Sequence, residues 1–270
     1  MTRKIILISV FALLLQTQLV TAGTEGSEEL KNSGSQGTAK ECFEGLSRTM
    51  FKVNHTLDKT IFEPIARGYR SLPAPIRRGT GNATDNLRSL LTIPNNLLQG
   101  DFDRAGNTVA RFGINTSVGI LGIFDPASKL GFEDQGKEDF GQTLGVWGAD
   151  SGCYFVLPIL GPTTTRDAIG LIGNMFLDPV YHITHNSEIQ NGFVGNDNYS
   201  EHNYYYYQGT GAVDFRAKNI ESFDSLETNS IDLYASIKSL YLQNRNKRIQ
   251  NSSSSVETQD DSDWEELETN

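Results

Sequence analysis

Two stretches in the middle of this chain are rich in apolar residues and in glycine at the same time, and they restrict what the chain can become. The first runs from Ile114 to Gly122 and continues through Ile123 and Phe124; the second runs from Cys153 to Gly173 and includes Tyr154-Phe155-Val156-Leu157-Pro158-Ile159-Leu160-Gly161. Neither offers the roughly 18 to 20 consecutive apolar residues that an α-helix needs to cross a hydrocarbon core of about 30 Å. In water such runs are core. In a lipid phase their glycines let helices approach closely while the other side chains face acyl chains. Composition leaves both readings open.

The ends of the chain are of a different character. Arg3 and Lys4 precede an apolar run from Ile5 to Leu15, and Val20-Thr21-Ala22 supplies the small residues of a signal-peptidase site, so residues 1–22 read as a cleaved export signal. Residues 23–41 are Gly, Ser, Thr, Asn and charge, too polar to offset the entropy of ordering, and read as a disordered leader. Residues 251–270 hold four serines and then Glu257, Asp260, Asp261, Asp263, Glu265, Glu266 and Glu268 with no Lys or Arg, an acidic disordered tail in which Trp264 and Leu267 form a short docking motif or simply ride along. Residues 42–250 remain as one ordinary domain. The formal net charge is −10, and loss of the two cations of the signal leaves −12. That balance argues against nucleic acid as a partner, since phosphate binding needs clustered cations.

Within the domain the periodicity is helical, and the fold class expected is mainly α. Leu46, Met50, Val53, Leu57, Ile61 and Ile65 recur at three and four residues on one helix face, with a bend or restart expected near Pro64. Leu87, Leu90, Leu91, Leu97 and Leu98 mark a second helix that Pro94 should interrupt. A third, capped by Asp101 or Asp103, runs through Ala105, Val109, Ala110 and Phe112. Phe215, Ile220, Phe223, Leu226, Leu233, Ile237, Leu240 and Tyr241 mark the last one or two, with Arg245, Lys247 and Arg248 at a C-terminus whose dipole favours cations.

Motifs for catalysis or metal binding are weak. No Gly-x-Ser-x-Gly is present, and the four histidines show no partner pattern for a nucleophile. His182, His185 and Glu188 are three apart and suit one helical face, but lack the zincin spacing. Gly131 to Lys137 begins like a phosphate loop, yet Glu138 replaces the magnesium-binding hydroxyl and Glu133 and Asp134 would repel phosphate. Asp101 to Gly106 begins like a calcium loop, but Ala105 offers no oxygen and position twelve is Phe112; a helix N-terminus is the better reading. Glu138 and Asp139 read as a charged helix start rather than a catalytic pair, because adjacent side chains diverge on a helix. Tyr204 to Tyr207 fit packing or an interfacial aromatic belt. Asn54, Asn82, Asn115, Asn198 and Asn251 head glycosylation sequons that matter only if the exporting cell uses them. Nothing here implies a cofactor. Cys42 and Cys153 stand in an exported chain, either as two thiols or as a disulfide closing a loop of 110 residues; the chain-entropy model assigns about 4.7 kcal/mol to a loop near that length.

Read in order, several segments carry a resemblance. Phe43 to Phe51, then Asn54, Leu57-Asp58 and Pro64 to Arg70, open it; Pro75, Arg77-Arg78-Gly79, Asn86-Leu87, Asn95 to Gly100 and Arg111 to Thr116 follow. The most specific block is Glu138-Asp139-Phe140-Gly141-Gln142-Thr143-Leu144-Gly145-Val146-Trp147-Gly148, with Tyr154, Leu157-Pro158, Gly161-Pro162 and Arg166-Asp167 behind it. Val213 to Ala217 and Asp232-Leu233-Tyr234 close it. Together these segments resemble the VacJ/MlaA family of bacterial outer-membrane proteins, over about 200 residues in the same order.

That resemblance implies a ring-like multi-helix protein lying in the inner leaflet of the outer membrane, on its periplasmic side, as amphipathic helices can. It implies a non-enzymatic function: phospholipid misplaced in the outer leaflet passes through an amphipathic channel to a periplasmic lipid-carrier protein, next to a trimeric porin. A channel of this kind must shelter acyl chains and give the head group a polar route. The family motif residues Gly141, Gln142, Thr143, Leu144, Gly145, Trp147, Gly148, Tyr154, Leu157, Pro158, Gly161, Arg166 and Asp167 are its candidate lining, with Trp147, Tyr154, Leu157 and Leu160 as apolar wall and Gln142, Thr143 and Arg166 as polar wall. Two departures stand out. Ala39-Lys40-Glu41 before Cys42 is no lipobox, so retention would rest on embedded helices and partners; and Cys153 stands where the family usually has Pro. A cell-surface structural or adhesion protein is the alternative from another class, and a periplasmic lipid hydrolase a third.

Overall fold

A computed structural model describes residues 39–185 and 202–250. Most of them are helical. A short strand β1 (Lys40–Glu41) leads into α1 (Glu44–Leu57), a single π-turn (Asp58–Phe62) and α2 (Glu63–Arg70). These three run on without a loop, and the bend expected near Pro64 takes the form of that π-turn just before it, a widened turn next to a residue that cannot donate to the helix ladder.

Helix α3 (Ala74–Gln99) corrects one expectation, because it continues through Pro94. Around the proline, side chains also bond to the helix's own carbonyls: Asn95 Nδ2 donates to Leu91 O at 2.9 Å and Thr92 Oγ1 to Arg88 O at 3.2 Å. Gly100, with φ +78°, ends the helix in the left-handed conformation that glycine adopts without strain. Helix α4 (Phe102–Ser117) then packs back on α3, its N-terminus capped by Asp101, which accepts from Arg104 N at 3.0 Å. This is the helix start expected for Asp101, in place of a calcium loop.

After α4 the first apolar, glycine-rich stretch folds into a tight turn. Leu121 N donates to Thr116 O at 2.9 Å and Gly122 N to Asn115 O at 2.8 Å, and the non-glycine residues Ile120 and Leu121 sit at φ +53° and +57°. A methyl on Gly119 would land on the carbonyls of Asn115 and Phe124, so only glycine fits there. Then come α5 (Pro126–Lys129), α6 (Phe140–Val146), β2 (Cys153–Leu157), β3 (Gly161–Thr164), α7 (Thr165–Leu177), α8 (Pro179–His185), α9 (His202–Lys218), α10 (Ile220–Asn229) and α11 (Leu233–Ile249).

The strands form one small sheet, β1 parallel to β2 and β2 antiparallel to β3. Tyr154 and Val156 of β2 point inward and join Ala39 and Tyr234, with Met50, Phe51, Tyr241 and Leu242 packed around them; this is the apolar core cluster. Cys42 and Cys153 are joined as a disulfide with their Cα atoms 5.6 Å apart, so the chain at β1 is tied covalently to β2. That settles the choice between thiols and disulfide which spacing alone left open. Among the described residues no helix is long and apolar enough to cross a membrane.

Candidate functional site

The motif block around α6 is organised by one arginine. Asp139 caps α6, accepting from Gln142 N at 3.0 Å, and Gln142 Nε2 reaches back to Asp139 Oδ2 at 2.9 Å. Arg245 of α11 lies over this turn, donating to Asp139 at 2.6 and 2.9 Å and to Asp167 of α7 at 2.8 and 3.1 Å. Tyr241, one turn earlier on α11, donates its hydroxyl to Asp167, and Arg166 Nε adds a bond to Asp167 at 3.1 Å. Burial pushes both carboxyls up, but the hydrogen bonds and charge of Arg245 outweigh it and hold both below the usual carboxylate range. The glycines permit the crossing. A methyl on Gly170 would strike the backbone of Gly141, and one on Gly173 would enter the Phe140 ring.

Behind this latch the interior is polar. Thr143 Oγ1 donates to Asn95 Oδ1 at 2.8 Å; Gln99 Nε2 donates to Thr143 at 3.2 Å and to Glu138 at 3.1 Å; Arg104 donates to Glu138 at 3.0 Å. Glu138 is nevertheless raised above its usual value, mainly by burial. The amide oxygens of Asn96, Gln99 and Gln142 are buried and accept no hydrogen bond among the described residues.

The candidate lining residues therefore separate into two groups. Gly141, Gln142, Thr143, Tyr154, Arg166 and Asp167 are buried in this frame; Leu144, Gly145, Leu157 and Gly161 are half-buried; Trp147, Gly148, Pro158 and Leu160 are exposed. Trp147 keeps its indole N–H on the Leu98 carbonyl at 2.9 Å, so the ring is held in place although 55% exposed. His182 and His185 bond to the carbonyls of Phe176 and Tyr181 instead of sharing a metal position, and no metal-holding group of acidic, His or Cys residues occurs among the described residues. Glu188, Asn198, Trp264 and Leu267 lie outside the described residues. Tyr204 packs edge-on against Tyr181, whereas Tyr205 and Tyr206 face outward. The Arg245 latch was missed in the sequence, although Tyr241 and Arg245, four apart and so on one helix face, were the signal available for it.

Taken over all described residues, the distribution of polarity is inverted. Ten apolar residues are buried, five of them alanines, against 19 buried polar or charged residues and 33 exposed large apolar ones. Every fully buried residue of α3 is Gly, Thr, Asn or Ser, while Ile76, Leu87, Leu97 and Leu98 of the same helix face outward. The turn after α4 presents Val118, Ile120, Leu121, Ile123 and Phe124 together, and α7 presents Ile169, Ile172 and Phe176 at helical spacing. An apolar outer surface of this extent marks an interaction with lipid or with another apolar partner.

The sequence pattern of the MlaA lipoprotein family matches residues 39–248. The chain belongs to that family. A MlaA from Haemophilus influenzae, described as an intermembrane phospholipid transport system lipoprotein, is 30% identical over 236 residues, 85% of this chain and 86% of that one. The Escherichia coli protein of the same description is 35% identical over 159 residues, 56% of this chain and 63% of that one. An uncharacterised Rickettsia prowazekii protein is 38% identical over 146 residues, and the match spans 58% of its length, so only about three fifths of such relatives is covered. A solved structure from work on the structural basis for maintenance of bacterial outer membrane lipid asymmetry superposes with a TM-score of 0.64 at 28% identity, covering 78% of this chain and 99% of that one. The multi-helix MlaA fold expected from the resemblance is thus the fold observed.

Proposed function

We propose that this chain moves phospholipid without chemical change, taking molecules misplaced in the outer leaflet of the outer membrane and passing them on toward a periplasmic carrier, beside a trimeric porin. The observation that carries this reading is the inverted polarity: apolar side chains outside, hydrogen-bonding side chains inside. A helical protein immersed in one leaflet faces acyl chains without losing free energy, because apolar surface pays no hydration cost there. A polar interior with buried acceptors that find no donor among the described residues suits the passage of head groups and water. In this reading exposed Trp147, Pro158 and Leu160 and half-buried Leu157 meet acyl chains. Gln142, Thr143, Tyr154, Arg166 and Asp167, with Gly141, Leu144, Gly145, Gly148 and Gly161, shape the passage from behind.

The protein would reside at the outer membrane, facing the periplasm, held by its apolar surface and its partners. The test is the phospholipid content of the outer leaflet in cells deleted for the chain. A several-fold rise that re-expression reverses is expected; an unchanged outer leaflet overturns the proposal.

A further inference from the structure

Away from the motif block, the inner sides of α3 and α4 and the loop after α5 enclose a polar cavity of about 90 Å³. Asn82, Asp85, Asn86, Arg111, Asn115 and Asp125 form its walls, and Asp134 and Lys137 close it from the loop. Most of the charge is already paired. Arg111 Nη2 is 2.9 Å from Asp125 Oδ2, Asn115 Nδ2 donates to the other Asp125 oxygen at 2.9 Å, and Lys137 Nζ is 3.4 Å from Asp134 Oδ2. Burial raises Asp125, but Ser128, Asn115 and Arg111 more than compensate and keep it ionised.

One charge is left over. The half-buried Asp85 carboxylate accepts no hydrogen bond and meets no cation among the described residues. The amide nitrogens of Asn82 and Asn86 each place one hydrogen on the protein, on Ile123 O at 3.2 Å and Thr116 Oγ1 at 2.8 Å, which anchors the two amides, and their oxygens are acceptors in the cavity wall. Acceptors around a lone carboxylate call for a cation that brings several donors, and an ammonium brings three.

A second groove, of about 290 Å³, adjoins this cavity and shares Asp125 with it. Val118, Phe124 and Pro126 make it apolar, and Lys129, exposed and without a partner among the described residues, stands in its wall. A polar cavity with an unpaired anion, joined to an apolar groove with an unpaired cation, matches a zwitterionic amphiphile.

We propose that the two adjoining cavities form one site for an amine-bearing phospholipid, with its ammonium against Asp85, its phosphate at Lys129 and the start of its acyl chains on Val118 and Phe124. This rests on the phospholipid reading above and names the head group. A glycerol head group offers Asp85 no charge, and an anionic one meets three carboxylates against two cations in the polar cavity. In a partly enclosed site the ionic contact is worth more than in bulk water.

The test uses the full chain in nonionic detergent, titrated calorimetrically with dihexanoyl phosphatidylethanolamine and dihexanoyl phosphatidylglycerol. The ethanolamine lipid is expected to bind at least about tenfold tighter, a difference of about 1.4 kcal/mol. Asp85→Asn, which removes no hydrogen bond of the fold, should reduce the preference to within about threefold while leaving the glycerol lipid unaffected. Lys129→Gln should weaken both lipids alike, and so should Phe124→Ser. A preference that survives Asp85→Asn overturns the ammonium position, and unchanged affinities in Lys129→Gln overturn the phosphate position. Soluble phosphoethanolamine binding as tightly as the lipid overturns the apolar half of the site. If both lipids bind without preference, this inference fails alone; if neither binds, the phospholipid reading fails with it.

Discussion

The sheet region and the α3–α4 pair hold together by opposite means. Around β2, Tyr154 and Val156 are sealed beneath Tyr234, Met50 and Phe51, and a disulfide fixes β1 alongside. Between α3 and α4 the contact is made of Asn96 donating to Thr108 at 3.4 Å, Asn86 donating to Thr116 at 2.8 Å and close-approaching small residues, with leucines turned outward. The first region is organised as proteins are in water, by removing apolar area from solvent. The second gains nothing from that and relies on directional bonds, whose net worth rises when the surroundings are apolar. One chain thus carries a part that folds against water and a part that suits lipid.

Arg245 joins the sheet region to α6 and α7, since α11 packs on the sheet core while its guanidinium holds Asp139 and Asp167, and α6 in turn meets α3 where Thr143 donates to Asn95. Replacing it should produce the largest effect on stability. Arg245→Met takes the shared cation from two carboxylates and leaves half-buried Asp139 only Gln142, and buried Asp167 only Tyr241 and Arg166, a loss of about 3 to 5 kcal/mol, read from denaturant unfolding in detergent. The pH dependence sharpens the point. Asp139 and Asp167 titrate lower in the folded chain than in the unfolded one, so their contribution is complete above the ordinary Asp value of about 3.9 and disappears as pH falls through the folded values. Glu138 titrates higher when folded, and its contribution is present in acid and lost as pH rises. In Arg245→Met all three carboxyls should be raised, so the variant should gain stability on acidification where the parent chain loses it. A variant that follows the parent's pH profile would show that the latch is not the link between the regions.

The disulfide is the second way to break the comparison, because it acts only on the sheet side. Cys153→Ser should cost about 2 to 5 kcal/mol and expose β1 to protease, while hydrogen exchange in α3 and α4 stays unchanged. Equal loosening of both regions would mean that they are one cooperative unit.

The residues explain why some of this was legible in sequence and some was not. Helices α1, α4 and α11 follow from i, i+3, i+4 spacing, and Asp101 and Asp139 announce helix starts by their own side chains. Pro94 misled, since α3 runs on through it while packed along α4, a tertiary context that local propensity does not register. Spacing could give the helix faces but not which face is inside: Leu46, Val53, Ile61 and Ile65 of the expected face are exposed, whereas Met50 of the same face packs on the sheet core. The Cys42–Cys153 pair and the Asp139–Arg245–Asp167 latch join residues from about 80 to more than 100 positions apart, a separation that periodicity does not register. The motif block marked the right neighbourhood, and within it the structure separates buried Gln142 and Thr143 from exposed Trp147 and Leu160.

The smallest expected effects discriminate most finely between the two regions. Val156 is 4% exposed in the sheet core, and Val109 on the outer side of α4 is 52% exposed. The same deletion, Val→Ala, removes two methyl groups at each site. At Val156 it should cost about 1.5 kcal/mol, near 0.8 for each buried carbon. At Val109 the change should stay within about 0.5 kcal/mol in detergent, because the side chain faces the same apolar medium folded or unfolded. What Val109→Ala should alter is partitioning, a small decrease in retention on lipid vesicles with no change in melting temperature. If Val109→Ala destabilises the detergent-solubilised chain as much as Val156→Ala, the outer face of α4 is packed against protein rather than lipid. The contrast between the two regions would then lose its physical basis.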